Sequence, residues 1–262
     1  KYLDIMTRGF VYKKQNMNSP KLGVVISTYQ RPDNKTPELL TRTLNCVLNQ
    51  SYKDWKLFLI GDKYNDNEEF EQLCSLIPKD KILYLNLPIA TERERYSNGG
   101  RNLWHSGGAT SVTIGIELAV NSGYDYICHL DHDEIWEPNH LEVLAKGIKD
   151  TNALFLYTKG IHYNGIELPS TNSKELYIKQ RAIPGGAIKS ATCINYRAIP
   201  LRRRDPLYYY NEVEAGDAAF LKRVNPLLES AEKDSILVNK VTVIHDQEGY
   251  TKTLTREDLT NG

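Results

Sequence analysis

Residues 124–138 read YDYICHLDHDEIWEP. Through Leu130 the stretch is an apolar run of strand length, and it then meets Asp131, Asp133 and Glu134, with His132 between the first two. A solvated turn ahead of a helix opened by Pro138 is one account of such charge. The other is a cation site. Alternate residues of an extended chain point the same way, so Asp131 and Asp133 converge. Two carboxylates so placed repel unless a cation lies between them, and hard oxygen ligands with open positions suit Mg²⁺ or Mn²⁺ bridging phosphates. The neighbouring segments decide between the two.

Upstream, LGVVIST (22–28) is a continuous apolar run suited to a central parallel strand. Thr36-Pro37-Glu38 supplies an N-cap, a first-turn proline and an early acid, with leucines at helical spacing through Leu48. WKLFLIGD (55–62) reads as a strand, DNEEFEQLCSLI (66–77) as an amphipathic helix and KILYLNL (81–87) as a third strand. The polar stretch from Pro88 to Gly108 reads as a long functional loop. GGATSVTIGIELAVNSG (107–123) is then a helix leading into the opening stretch as a fourth strand. This alternation predicts an α/β fold with a Rossmann-like, mostly parallel central sheet flanked by helices and linked by right-handed crossovers. Downstream come a helix at 140–148, a hairpin at 154–168 turning on Asn164-Gly165, a strand at 187–199, a helix at 214–224 and a last strand at 240–245. They predict a smaller antiparallel extension in the second half.

Composition sets outer limits. The 262 residues carry 33 basic and 33 acidic side chains, so no net charge draws the chain to nucleic acid. No stretch nears the roughly 18 unbroken apolar residues of a membrane span, and no signal-peptide pattern opens the sequence. Cys46, Cys74, Cys128 and Cys193 are dispersed without a CxxC pattern, which reads as reduced core thiols of a cytoplasmic protein and argues against zinc. In a parallel sheet, ligands gather outside the carboxyl ends of the strands. Ser27-Thr28, Asp62 and the Asp131–Asp133 triplet are expected along that edge.

Taken together, VVISTYQRP at 24–32, the strand-terminal Asp62, the glycine-rich helix entry before YDYICHLDHDE, and AGDAAFLKR at 215–223 resemble family 2 glycosyltransferases of the GT-A fold, over about residues 21–245. The resemblance implies that Thr28, Tyr29, Arg31 and Asp62 hold the nucleoside of an activated sugar. Asp131 and Asp133 form the DxD metal site on its diphosphate, so Asp131 serves nucleotide and metal alike. Asp217 is the general base, and His245, at the end of the last strand, completes the metal shell. Arg202–Arg204, Trp104, His105 and Tyr208–Tyr210 are further candidates for phosphate or sugar contacts. Two departures from the family stand out. Gly61-Asp62-Lys63-Tyr64 replaces the usual Asp-Asp-Gly-Ser, and Ser111-Val112-Thr113 replaces Ala-Arg-Asn.

The expectation is a soluble Mn²⁺- or Mg²⁺-dependent, inverting hexosyl- or deoxyhexosyltransferase. It moves one sugar from a nucleotide diphosphate donor to a hydroxyl of a glycan or glycoconjugate. The expected organisation is an arm at 1–20, one domain at 21–250 with a nucleotide-sugar half (21–133) and an acceptor half (134–250), and a tail at 251–262. A sugar-1-phosphate nucleotidylyltransferase would want a Gly-x-Gly-Thr-Arg loop, which Ser27–Arg31 is not. A non-catalytic glycan-binding module on the same scaffold is the other alternative.

Overall fold

The computed structural model describes residues 19–97, 99–162, 164–199, 201 and 216–245, apart from the side chain of Asp217. In chain order the elements are β1 (Leu22–Thr28), α1 (Thr36–Leu48), β2 (Trp55–Gly61), α2 (Asn67–Cys74), β3 (Ile82–Asn86), α3 (Thr91–Arg95), α4 (Gly100–Ser106) and α5 (Ala109–Asn121). There follow β4 (Tyr126–Asp131), β5 (Ile135–Trp136), α6 (His140–Thr151), β6 (Phe155–Ile161), β7 (Glu167–Leu168), β8 (Tyr177–Lys179), a 3-10 turn (Lys189–Ala191), β9 (Thr192–Asn195), α7 (Gly216–Ser230) and β10 (Ser235–Ile244).

The sheet runs β3-β2-β1-β4-β9-β6-β10-β5, with β7 on β6 and β8 on β10. β3, β2, β1 and β4 are mutually parallel. β9 is antiparallel to both β4 and β6, and β10 returns parallel to β6. The expected parallel half and antiparallel extension are both present, and the 154–168 hairpin forms as β6 and β7.

Strand alternation sorts the core into two layers. Val24, Ile26, Leu57 and Leu59 face a layer completed by Leu40 and Leu44 of α1, Phe70 of α2 and Leu144 of α6. Val25 and Phe58, one residue out of step, face the other layer with Ile116 of α5 and Val224 of α7. Both layers exclude water from side chains worth about 1.5–3 kcal/mol each on full burial. The α5 helix lies so close to the sheet that a Cβ on Gly115 would sit 2.7 Å from Val25 Cγ1. A side chain there would have to displace Val25 or the helix.

Several details differ from the sequence reading: the strand expected at 187–199 is only the short β9, preceded by the 3-10 turn, and α7 runs on to Ser230. The 88–108 stretch is not plain loop; it holds α3 and α4. β10 starts at Ser235 rather than 240. Thr36 is the first helical residue rather than the cap, and its hydroxyl instead donates to Tyr29 O (2.8 Å) and accepts from Arg31 N (2.9 Å). That exchange fixes the loop carrying Tyr29 and Arg31.

Candidate functional site at the carboxyl edge of the sheet

Register brings the predicted acids to one edge. Thr28 pairs with Gly61 and Ser27 with Asp131, so Asp62 and Asp131 flank the end of β1. Asp62 is only 2% exposed, and its amide donates to Thr28 O at 2.8 Å. Arg93 of α3 donates to Asp62 Oδ2 at 2.6 Å, while Oδ1 is buried without a hydrogen-bond partner among the described residues. Burial pushes the Asp62 carboxyl above its usual range, and Arg93 opposes that rise. The guanidinium of Arg93 also lies over the Tyr29 ring, 3.5 Å from its centroid. Tyr29 in turn meets His132 edge-on at 5.4 Å.

The structure explains the altered residues around Asp62. Lys63 has a φ of 60°, a left-handed conformation that glycine adopts without strain. A side chain on Gly61 would start 3.0 Å from Asn86 Oδ1 and 3.1 Å from the Phe70 ring, so a second acid there requires those side chains to shift. Tyr64 turns inward, and its hydroxyl bonds Thr28 Oγ1 at 2.7 Å. Thr28 is thus 1% exposed, with its hydroxyl spent inside the fold. Ser111 bonds Ser27, Val112 packs in the core beside Ile116, and Thr113 returns its hydroxyl to Ala109 O.

The acidic turn is held from behind by α1. Arg42 donates to Asp133 O (2.8 Å), and the Thr43 hydroxyl lies 2.9 Å from both His132 O and Glu134 O. From the other side, Ser190 Oγ accepts the Asp131 amide at 3.0 Å, and Trp136 Nε1 donates to Ser190 O at 2.7 Å. Each acid is matched by a base of the chain: Asp131 by Lys189, Asp133 by Arg31 Nη1 at 3.7 Å, and Glu134 by Nδ1 of His245. Burial draws the His245 value down. The bond to Glu134 and the charges of Glu134, Asp131 and Asp133 outweigh it, so the net shift is upward. His132 is buried, which lowers its value despite the flanking acids.

Two carboxylates and an imidazole are the donor types that a divalent ion takes in such a site. In this conformation they are engaged with Lys189, Arg31 and Glu134, and among the described residues no three His, Cys, Asp or Glu side chains are gathered as a metal cluster. By donor chemistry the set fits a divalent ion, provided those internal pairs give way.

Asp217 is the second residue of α7, and its side chain lies outside the described residues. Arg202–Arg204, Tyr208–Tyr210 and Glu214 lie outside them as well. Trp104 is 45% exposed on α4, whereas His105 beside it is buried. Residues the sequence reading passed over include Arg93, Lys189, Arg42, Thr43 and Glu92. Glu92 is buried, accepts from the Thr110 amide (2.9 Å) and hydroxyl (2.6 Å), and so anchors the start of α5.

No family model matches the chain. An uncharacterised glycosyltransferase of Acanthamoeba polyphaga mimivirus is 31% identical over 242 residues, covering 88% of this chain and 96% of that protein. The amylovoran biosynthesis glycosyltransferase AmsB of Erwinia amylovora is 30% identical over 126 residues, which are 48% of this chain and 35% of AmsB. The UDP-Glc:alpha-D-GlcNAc-diphosphoundecaprenol beta-1,3-glucosyltransferase WfgD of Escherichia coli is 26% identical over 48% of this chain and 42% of WfgD. Among solved structures, S. aureus TarS in complex with UDP-GlcNAc superposes with a TM-score of 0.62 at 13% identity, over 92% of this chain and 61% of that one. TarS with UDP gives 0.60 at 13%, over 91% and 62%. At that identity the likeness to TarS is one of fold.

Proposed function

This chain belongs to the family 2 glycosyltransferases, and from that premise we propose that it transfers a single sugar from a uridine diphosphate donor to a hydroxyl of a glycan or glycoconjugate, with inversion and with a divalent ion. The observation that carries the nucleotide reading is Asp62. A buried carboxylate with one oxygen unpaired costs free energy until a donor reaches it. Asp62 lies beside a tyrosine whose ring already carries a stacked, planar, hydrogen-bonding group in Arg93. A uracil ring offers the same two features, a flat π face and an N–H. The nucleotide seen with TarS supports the choice of uridine.

Asp131, Asp133 and His245 are the residues to hold the divalent ion, which when bound supplies the positive charge that stabilises a departing diphosphate. Arg31, held by Asp33 through two bonds of 3.1 Å, stays at this edge when its 3.7 Å pairing with Asp133 yields to the ion. The acceptor hydroxyl, whose pKa lies far above neutrality, needs a carboxylate within hydrogen-bond reach, and Asp217 at the start of α7 is assigned that task. Attack on the face opposite the diphosphate inverts the anomeric centre. In this proposal residues 21–133 form the nucleotide-sugar half and residues 134–250 the acceptor half.

The test is release of UDP from a panel of UDP-sugars, with glycan acceptors and Mn²⁺ supplied. Turnover with one UDP-sugar, abolished in Asp217→Asn, is the expected result. Absence of both binding and turnover across UDP-, GDP-, dTDP- and CMP-sugars would overturn the assignment.

A further inference from the structure

Of the three bases that match the acids of the 131–134 turn, Lys189 is the one whose partner acid is most open to solvent. Arg31 is buried and tied also to Asp33, and His245 sits on the nearly buried Glu134. Lys189, by contrast, meets the most open of the three acids, Asp131, whose side chain is 36% exposed. Lys189 itself is largely buried and borders a cavity of about 20 Å³ lined also by His129, Thr192, Tyr196 and Phe220, room for about one water. The 3-10 turn that carries it is pinned independently, through Ser190 to the Asp131 amide and to Trp136.

We propose that Lys189 is the counter-ion a divalent cation must displace from Asp131, so that the metal enters together with the nucleotide diphosphate rather than ahead of it. This rests on the metal and nucleotide reading given above. An ammonium and a divalent ion on one carboxylate repel each other, and the displaced ammonium needs a new negative partner. A diphosphate arriving at the same edge supplies one. Metal and nucleotide therefore each favour the other through Lys189, and by linkage the coupling is reciprocal.

The test is binding of Mn²⁺, read from the electron paramagnetic resonance signal of the free ion, with and without UDP. Wild type, Lys189→Met, Lys189→Arg and Asp131→Asn are compared. Lys189→Met is expected to bind Mn²⁺ alone roughly 10- to 100-fold more tightly than wild type, from the charge removed a few ångströms away. UDP should then tighten Mn²⁺ binding less than it does in wild type. Lys189→Arg, which keeps the charge, should behave as wild type. If Asp131→Asn weakens Mn²⁺ but Lys189→Met binds it no better than wild type, the counter-ion role is refuted and the metal site stands. A gain in Lys189→Arg equal to that in Lys189→Met would also refute it, since packing rather than charge would be the cause. If Asp131→Asn leaves Mn²⁺ binding unchanged, the metal reading fails and takes this inference with it.

Discussion

Replacing Asp62 by Asn keeps the shape of the side chain and removes its charge. In the native site one oxygen accepts from Arg93 at 2.6 Å and the other is buried without a hydrogen-bond partner among the described residues. Asparagine has a single acceptor oxygen. It can serve Arg93 and turn its amide N–H groups toward the incoming nucleobase donor, or serve the base and leave Arg93 facing N–H groups. Either way one hydrogen bond to a charged group is lost in a buried place, about 1.5–3 kcal/mol. The dissociation constant for UDP should rise roughly 10- to 150-fold. Because the nucleoside is held alike in the ground and transition states, KM for the donor should rise with kcat little changed. Isothermal titration with UDP and steady-state kinetics on the same preparation read both numbers. A folded Asp62→Asn protein that binds UDP within twofold of wild type would refute the reasoning, as would a fall in kcat at constant KM.

Other outcomes follow from the same structure. Arg93→Ala removes both the group stacked on Tyr29 and the partner of Asp62, and is expected to weaken UDP binding at least tenfold; unchanged affinity in a titration would show that the guanidinium only fills the slot. Asp217→Asn should bind donor normally and lose transfer by roughly 10²- to 10⁴-fold, checked by donor titration beside product formation. Lys63→Gly relieves a left-handed backbone at 60°, and its unfolding free energy from urea titration should be equal to or above that of wild type, by up to about 1 kcal/mol; a clear loss would contradict the strain argument. Burial lowers the pKa of His140 to about 3. Its ring stacks on Trp136 at 4.3 Å and bonds Thr242 at 2.7 Å. Between about 6.5, the unperturbed value, and that folded value the unfolded chain binds the extra proton, so the stability is whole above pH 6.5 and falls with pH. The loss is up to about 1.4 kcal/mol per unit. His140→Gln should flatten denaturation midpoints between pH 6.5 and 4 relative to wild type, and parallel profiles would exclude the mechanism.

The sheet was legible because its central strands are buried on both faces and read as unbroken apolar runs, and α1 was read to its last residue from a proline and spaced leucines. The short helices α3 and α4 were not, because TERER and GRNLWHS are too short and too polar to show a periodic apolar face. Asp62, Asp131 and Asp133 could be picked out because charge abruptly ends or follows an apolar run. Lys189 and Arg93 carry no such mark. Each lies in a segment with another pattern and meets its acid across a long stretch of chain, 58 residues for Lys189 and 31 for Arg93. Thr28 shows the opposite limit: its place at the strand end was right, yet its hydroxyl is taken by Tyr64, a residue 36 positions on whose inward turn depends on the packing of Phe70.

The proposed transfer requires a uridine nucleotide and a divalent ion to meet at this edge of the sheet. Titration of UDP into wild type with Mn²⁺, into wild type with a chelator, and into the Asp131→Asn, Asp133→Asn double variant with Mn²⁺ measures that in one series. The expected result is saturable binding in the first, with affinity reduced at least tenfold in the other two. Equal UDP affinity in all three, or no UDP binding in any, would contradict it.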